Sequence, residues 1–539
     1  MIKARLAPAM LLMGAVFATA SVPAWAEAPA TAPASPIPAS SAPTAQVDFY
    51  RGDTGHTGVF AESLATPLSL LWRHTTLAAS NNPASAVYSA GSVYFVSGGS
   101  VYALHAADGA TQWQYPVDGK KTSLFSATPA LADGFLYVTD DNGNAIKLDA
   151  ATGKEVWKVT LDGALRSAPV VSGGLVYFGS GSSHCYALSA STGQTVWNVT
   201  TGGAVLTSPV VTGGLVVFTS SDNMVYSLNS RTGRKAWSVP FDADPSIVPL
   251  VYDGRILYVT AGDTVFSLDP SSGRQRTTLK LPTTVLIPPT ISADATYIVT
   301  QSNILYSLGA GGRERWKVTV DAAPTAPPLL AGSLLLVTTQ PGIVSGYESG
   351  SGKLVWRYAM QGTATDSQAK PATANVFAAP IVADGTLYVV SDDGSLSAFR
   401  HDAPDDVGPE LVQLAPTSGA TVPTDNLTYG AMIVDQGSGI NPVTVHLVFD
   451  GTTDPLALFH SDTGAIYHTL TTPLTEGDHQ VTVTAADWRG NATSQNWHFT
   501  VRNGATNRGG GRFNPFGRGY PGGGGRNPNA PPPPPLTPF

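Results

Sequence analysis

The chain has 539 residues, 42% of them hydrophobic and 13% charged, and its 56 glycines and 42 prolines make up 18% of the sequence. A charge share about half that of an ordinary soluble protein, combined with this apolar content, excludes a highly charged disordered chain, and the length argues against a single domain. The formal net charge is -8, and setting aside Lys3 and Arg5 at the start and Arg508, Arg512, Arg518 and Arg526 at the end leaves a body of about -14. Broad binding to nucleic acid or to an anionic membrane needs a cationic footprint, so the charge balance argues against both for the body and leaves only the tail with that character.

Lys3 and Arg5 precede an apolar run from Leu6 to about Ala20, and Ala24-Trp25-Ala26 supplies the small residues of a signal-peptidase site. Residues 1–26 are therefore expected to be a signal peptide cleaved before Glu27. No later segment reaches the ~20 apolar residues of a spanning helix. The mature protein is expected to be extracytoplasmic, whether periplasmic, secreted or associated with the cell surface. Residues 27–46 form a Pro/Ala/Ser linker whose composition predicts an extended, disordered spacer.

One unit then recurs from residue 86 to 399 with a period near 40, the length of a four-stranded propeller blade. Trp113, Trp157, Trp197, Trp237, Trp316 and Trp356 are spaced 44, 40, 40, 79 and 40 apart, and in the long interval Thr277 stands where a tryptophan is expected. A strand is predicted after each of Pro129, Pro169, Pro209, Pro249, Pro289, Pro327 and Pro380, because proline is tolerated at strand starts. Alternating stretches such as LYVTD have the period of a half-buried strand. Asn142-Gly143 and Asp393-Gly394 suggest type I′ hairpins. The last copy lacks its fourth strand, and the orphan segment LSLLWRHT around Trp72 is expected to supply it. These features predict an all-β chain whose residues 47–403 form an eight-bladed β-propeller, closed without exposed edges.

The repeat, with its G-x-[VL]-Y-V, Y-A-L-D-x-x-T-G-K and Trp, resembles the PQQ-type propeller repeat named for quinoprotein alcohol dehydrogenases. It is also similar to the BamB family of the outer-membrane β-barrel assembly machinery. The resemblance spans residues 47–403 and implies the fold. For function it leaves both catalytic and non-catalytic proteins open.

From 408 to 502 the repeat ends but short alternating strands continue, predicting an immunoglobulin-like β-sandwich. VDQGSGI (Val434 to Ile440) and PLTEGDHQVTVTAADWRGN (Pro473 to Asn491) are similar to bacterial Ig-like and cadherin-like modules. Residues 503–539 are a Gly/Arg/Pro-rich tail, expected to be disordered.

The resemblance implies one sharp chemical possibility, PQQ with calcium in the propeller channel. Enzymes of the alcohol dehydrogenase type carry a vicinal cysteine pair against that cofactor, and this chain has one cysteine, Cys185. The channel-side segments Ser-Ala-Pro, Thr-Ser-Pro, Ile-Val-Pro and Ile-Pro-Pro also offer no convergent carboxylates for a hard cation or a base. The expectation is no cofactor, no metal site and no catalytic residue. Cys185, within HCYAL, reads as a small buried thiol. Asp140 to Asn144 (DDNGN) reads as a hairpin turn, whereas Asp435 and Asp487 are the better calcium candidates by resemblance, although an Asp ahead of Gly reads first as a turn former. Ser349 to Lys353 (SGSGK) has the wrong spacing for a phosphate loop, and the ten histidines form no H-x-H or HExxH pair. Lys120, Lys121 and Arg166 precede adjacent inner strands and could gather at one mouth of the channel as a cationic patch for a carboxylate-bearing partner.

Taken together, the sequence predicts a non-catalytic extracytoplasmic scaffold that binds protein or envelope polysaccharide, with outer-membrane protein assembly as its most concrete form. A PQQ-dependent dehydrogenase and a carbohydrate-binding cell-surface protein stand as alternatives.

Overall fold

The structure, a computed structural model, describes residues 46–76, 84–117, 123–245, 248–362, 374–425 and 427–505. The expected signal peptide over 1–26, nearly all of the expected linker, the tail from 506, and Lys120 and Lys121 lie outside the described residues. Among those described there is no α-helix, and the fold is all-β and propeller-like.

Eight antiparallel sheets follow one another along the chain, and we number them 1 to 8. Sheets 1 to 7 occupy residues 87–115, 130–160, 170–200, 210–240, 251–280, 290–319 and 324–359. Sheet 8 combines residues 381–400 with the strand Ser69–Thr75, which pairs antiparallel with Ser395–Arg400. The first strands of consecutive sheets, such as Val87–Ser89, Ala130–Ala132 and Val170–Ser172, lie side by side and form the inner wall. Apolar cores fill the space between neighbours: Ala130 and Tyr137 of sheet 2, for instance, pack with Val176 and Phe178 of sheet 3.

The tryptophans explain the 40-residue period. Each indole Nε1 donates to a backbone carbonyl of the next sheet: Trp113 to Ala150, Trp157 to Ala190, Trp197 to Ser230, Trp237 to Pro270 and Trp316 to Ser349. Trp72 in the last sheet donates to Ala106 in the first, so the chain of bonds returns to its start. Each ring also lies on the glycine of the next sheet's third turn. At Gly193 a Cβ would come within 2.9 Å of the Trp157 ring, and its φ of +73° already favours glycine. Thr277 interrupts the series, and there Leu279 approaches the corresponding Gly312.

Two local expectations change. Positive φ at both central residues, the mark of a type I′ turn, occurs at the first hairpins, Asp133-Gly134, Gly173-Gly174, Gly213-Gly214 and Asp384-Gly385. At Asp140–Gly143 only Gly143 has positive φ, because Asp140 Oδ1 accepts from the backbone of Asn142 and Asn144 and shapes a wider loop. In sheet 7 the strand Pro324–Ala331 begins before Pro327, with register shifts where the prolines withhold their donors.

Beyond residue 409 two more sheets face each other around Tyr429, Ile433, Val481, Trp497 and Phe499. One holds Glu410–Ala415, Thr428–Val434, Ala465–Thr469 and Leu458–His460. The other is centred on the long hairpin Gly477–Ala486 and Ala492–Val501.

Candidate functional site

The inner strands present one unpaired edge each toward the axis, and residues 46–60 use them. Gln46–Val47 pairs with Val87–Ser89 of sheet 1, and Asp48 O accepts from Leu131 N of sheet 2. The chain then crosses: Gly55 O accepts from Tyr252 N of sheet 5, Thr57 O from Ile291 N of sheet 6 and Gly58 O from Leu330 N of sheet 7. Val59–Phe60 finally runs parallel to the inner strand of sheet 7. The passage is thus threaded by the chain's own polypeptide.

Arg51 anchors this segment and is 1% exposed. Its guanidinium donates to Pro289 O at 3.0 Å and Thr290 Oγ1 at 2.8 Å, and reaches Thr57 O and Pro328 O at 3.3 and 3.4 Å. Burial lowers its pKa to about 10, so it stays cationic at neutral pH. Gly58 gives it room, since a Cβ there would sit 2.3 Å from the guanidinium. His56 is fully buried and burial lowers its pKa to about 4; the neutral ring places Nδ1 3.2 Å from Leu250 O, while Nε2 has no partner. Asp53 accepts from the backbone of Gly55 and Thr57 and from the Thr57 hydroxyl, holding the crossing loop in shape.

Of the residues singled out for partner binding, only Arg166 is described. It is exposed and pairs with Asp141 at 3.2 Å, which offsets much of its charge locally. It stands three residues before an inner-strand proline. The same position in other sheets is held by Leu206, Leu286 and Phe377, the last two 44% and 37% exposed, so apolar side chains flank this mouth. Cys185 is fully buried, and burial pushes its thiol pKa far up.

Asp435 and Asp487 behave as turn formers. Asp435 Oδ1 accepts from Gly437 N and Gly439 N at 3.1 and 2.6 Å, and Asp487 accepts from the backbone and amide of Asn491. Among the described residues no group of three or more His, Cys, Asp or Glu stands close enough to hold a metal ion. The turns these residues build seat the sandwich on sheets 7 and 8. Trp356 Nε1 donates to both Leu68 O and Ser438 O, Trp488 Nε1 to Arg357 O, and Arg489 to Ser69 Oγ and to the carbonyls of His401 and Ala403. Beside this seat lies a cleft of about 530 Å³ bordered by Asp405, Asp406, Glu410 and Asp435.

A family model described as outer membrane protein assembly factor BamB matches residues 97–189, 170–250 and 241–406, more than half of the chain. The chain belongs to the BamB family. A BamB from Nitrosomonas eutropha is 43% identical over 47 residues, and a tetrathionate hydrolase from Acidithiobacillus ferrooxidans 37% identical over 68. These matches span 11% and 13% of the relatives' lengths. Among solved structures, BamB from Moraxella catarrhalis superposes with a TM-score of 0.51 at 18% identity, covering 63% of this chain and 99% of that one. Quinohemoprotein alcohol dehydrogenase from Comamonas testosteroni gives 0.55 at 16% identity, covering 68% and 82%. This likeness establishes the propeller-like fold that family members share with the dehydrogenases. No described helix is long and apolar enough to cross a membrane.

Proposed function

We propose that this BamB-family chain is a non-catalytic extracytoplasmic binding protein that serves outer-membrane protein assembly by holding protein partners in the cell envelope. In this reading the eight sheets are the eight blades of a propeller over 47–403, and residues 408–502 are an Ig-like module that extends its reach. Lys120, Lys121 and Arg166 remain its proposed partner-binding cations.

The carrying observation is the threaded passage. Residues 46–60 bond to the inner edges of sheets 1, 2, 5, 6 and 7, and Arg51 draws the carbonyls of Pro289 and Pro328 together. A planar quinone with a divalent cation needs open space there and several oxygen ligands. The residues present do not fit that group: the axis holds a buried guanidinium and a neutral histidine, and the lone Cys185 sits in the third strand of its sheet. The dehydrogenases among the structural relatives therefore support the fold of this chain rather than its chemistry.

Purified protein incubated with PQQ and Ca²⁺ is expected to show no saturable cofactor binding and no dye-coupled oxidation of alcohols or sugars. Turnover would overturn the reading. Crosslinking in the native envelope is expected to capture a reproducible protein partner, and capture of glycans alone would transfer the proposal to a carbohydrate-binding role.

A further inference from the structure

Sheets 4 to 6 are electrically polarised along their strands. In each, the first and third turns lie at one end, and the second turn and the link to the next sheet lie at the other. At the first-and-third-turn end, sheet 4 presents Arg231, Arg234 and Lys235, all exposed. Sheet 5 adds exposed Arg255, Arg274 and Arg276, and sheet 6 adds Arg313 and Arg315. The opposite end of the same sheets carries Asp222, Asp242, Asp244 and Asp263, with Lys280 paired to Asp263 at 3.5 Å.

The acids that share the basic end offset it only in part, chiefly through the Asp269–Arg276 ion pair at 2.5 Å. Asp269 is engaged by Ser271, Ser272 and Arg276, Asp253 by the backbone of Arg255 and Ile256 and by Tyr258, and Glu314 by a further cation, Lys317. With Asp294, four carboxylates face these eight cations and Lys317. A local excess of positive charge thus sits on a body whose net charge is strongly negative.

We propose that this end of sheets 4 to 6 docks an acidic peptide segment of a partner protein. Seven of the eight cations are arginines, whose planar forks suit carboxylates bidentately. The cations follow the turns of three consecutive sheets, an arrangement that matches an extended chain carrying several carboxylates. A flat anionic membrane fits less well. Laying this end of the propeller on it would also press Asp108, Asp133, Asp149, Glu155, Glu348 and Asp384, from the same end of sheets 1, 2, 7 and 8, against the headgroups. The inference rests on the binding-protein reading and goes beyond it by naming the surface and the chemistry of its partner. Cofactor turnover would sink that reading, whereas the outcomes below sink only this surface.

The probe is a fluorescein-labelled peptide of alternating Asp and Glu, sixteen residues long, titrated with the full chain. Binding is expected to weaken at least tenfold between 50 and 300 mM salt. The triple variant Arg234→Glu, Arg274→Glu, Arg313→Glu should lose at least tenfold in affinity with an unchanged circular dichroism melt. Lys154→Glu with Lys353→Glu alters the same repeat position on sheets 2 and 7 and should stay within twofold. The four arginines of the tail are present in every variant, so the difference reports the face alone. No peptide binding, equal losses in both variants, or binding to phosphatidylglycerol vesicles but not to the peptide would each overturn the proposal.

Discussion

The indole Nε1 of Trp157 donates to the carbonyl of Ala190 at 3.2 Å, while the same ring lies against Gly193 three residues further on. One side chain thus bonds and packs onto the next sheet in a single motif, and the motif recurs at Trp72, Trp113, Trp197, Trp237 and Trp316. At each of these junctions the glycine after the third strand is fixed by its neighbour as well as by its own turn.

That double constraint separates two glycines of sheet 3. Gly174 has φ +78° with nothing within 4 Å of a built Cβ, so Gly174→Ala should cost about 1–2 kcal/mol for left-handed backbone alone. Gly193, at +73°, would also drive its Cβ into the Trp157 ring, and overpacking adds roughly 1–3 kcal/mol to the same backbone cost. Denaturant midpoints should rank wild type above Gly174→Ala above Gly193→Ala. Equal midpoints for the two variants would mean that the ring contact carries no weight.

Arg51→Met should loosen the threaded segment. The substitution keeps an apolar stem but leaves the buried Pro289 carbonyl without its donor, and an unsatisfied buried acceptor costs about 1–3 kcal/mol. Hydrogen exchange at the amides of Ile291 and Leu330, which donate to Thr57 O and Gly58 O, should speed up at least tenfold. Arg51→Lys should rescue only in part, because an ammonium cannot span the same carbonyls. Unchanged exchange in Arg51→Met would show that backbone bonds alone hold the segment.

Cys185 offers a probe of opening. It is fully buried in the third strand of sheet 3 and its thiol pKa is pushed upward by burial, so an aromatic disulfide reagent at pH 8 should leave it unmodified in the native protein. One equivalent should react in guanidinium. Rapid native reaction would place the thiol at the surface.

What the sequence made legible follows from repetition. Trp113, its equivalents and the glycines they meet recur because six of the eight junctions solve the packing problem in the same way, so the period of 40 and the orphan strand at Trp72 could be read directly. Residues 46–60 solve a problem posed once: QVDFYRGDTGHTGVF has no periodicity, and nothing in it announces that Arg51 is buried. The basic end of sheets 4 to 6 was hidden by the negative total, since net charge averages Arg274 with Asp263 although they stand at opposite ends of one sheet. Asp435 and the Trp488-Arg489 pair were visible as motif residues, but a motif cannot tell which surface its turn will face.

Asp435 makes the seat of the sandwich pH-dependent. It is 7% exposed, and burial, aided by the charges of Asp405 and Asp487, raises its pKa from 3.8 to about 6 against the opposing pull of the Gly437 and Gly439 amides. Because the folded state holds this proton more tightly than the unfolded chain, the contribution to stability is fully present below about pH 4. It is lost as the pH rises to about 6, a span worth about 3 kcal/mol. Asp435→Asn keeps an acceptor for the two amides without the charge, so it should stabilise the protein at pH 7.5 and lose that advantage at pH 4. Melting temperatures of both proteins across this range provide the measurement. A constant difference from pH 4 to 7.5 would show that Asp435 does not titrate between the two states.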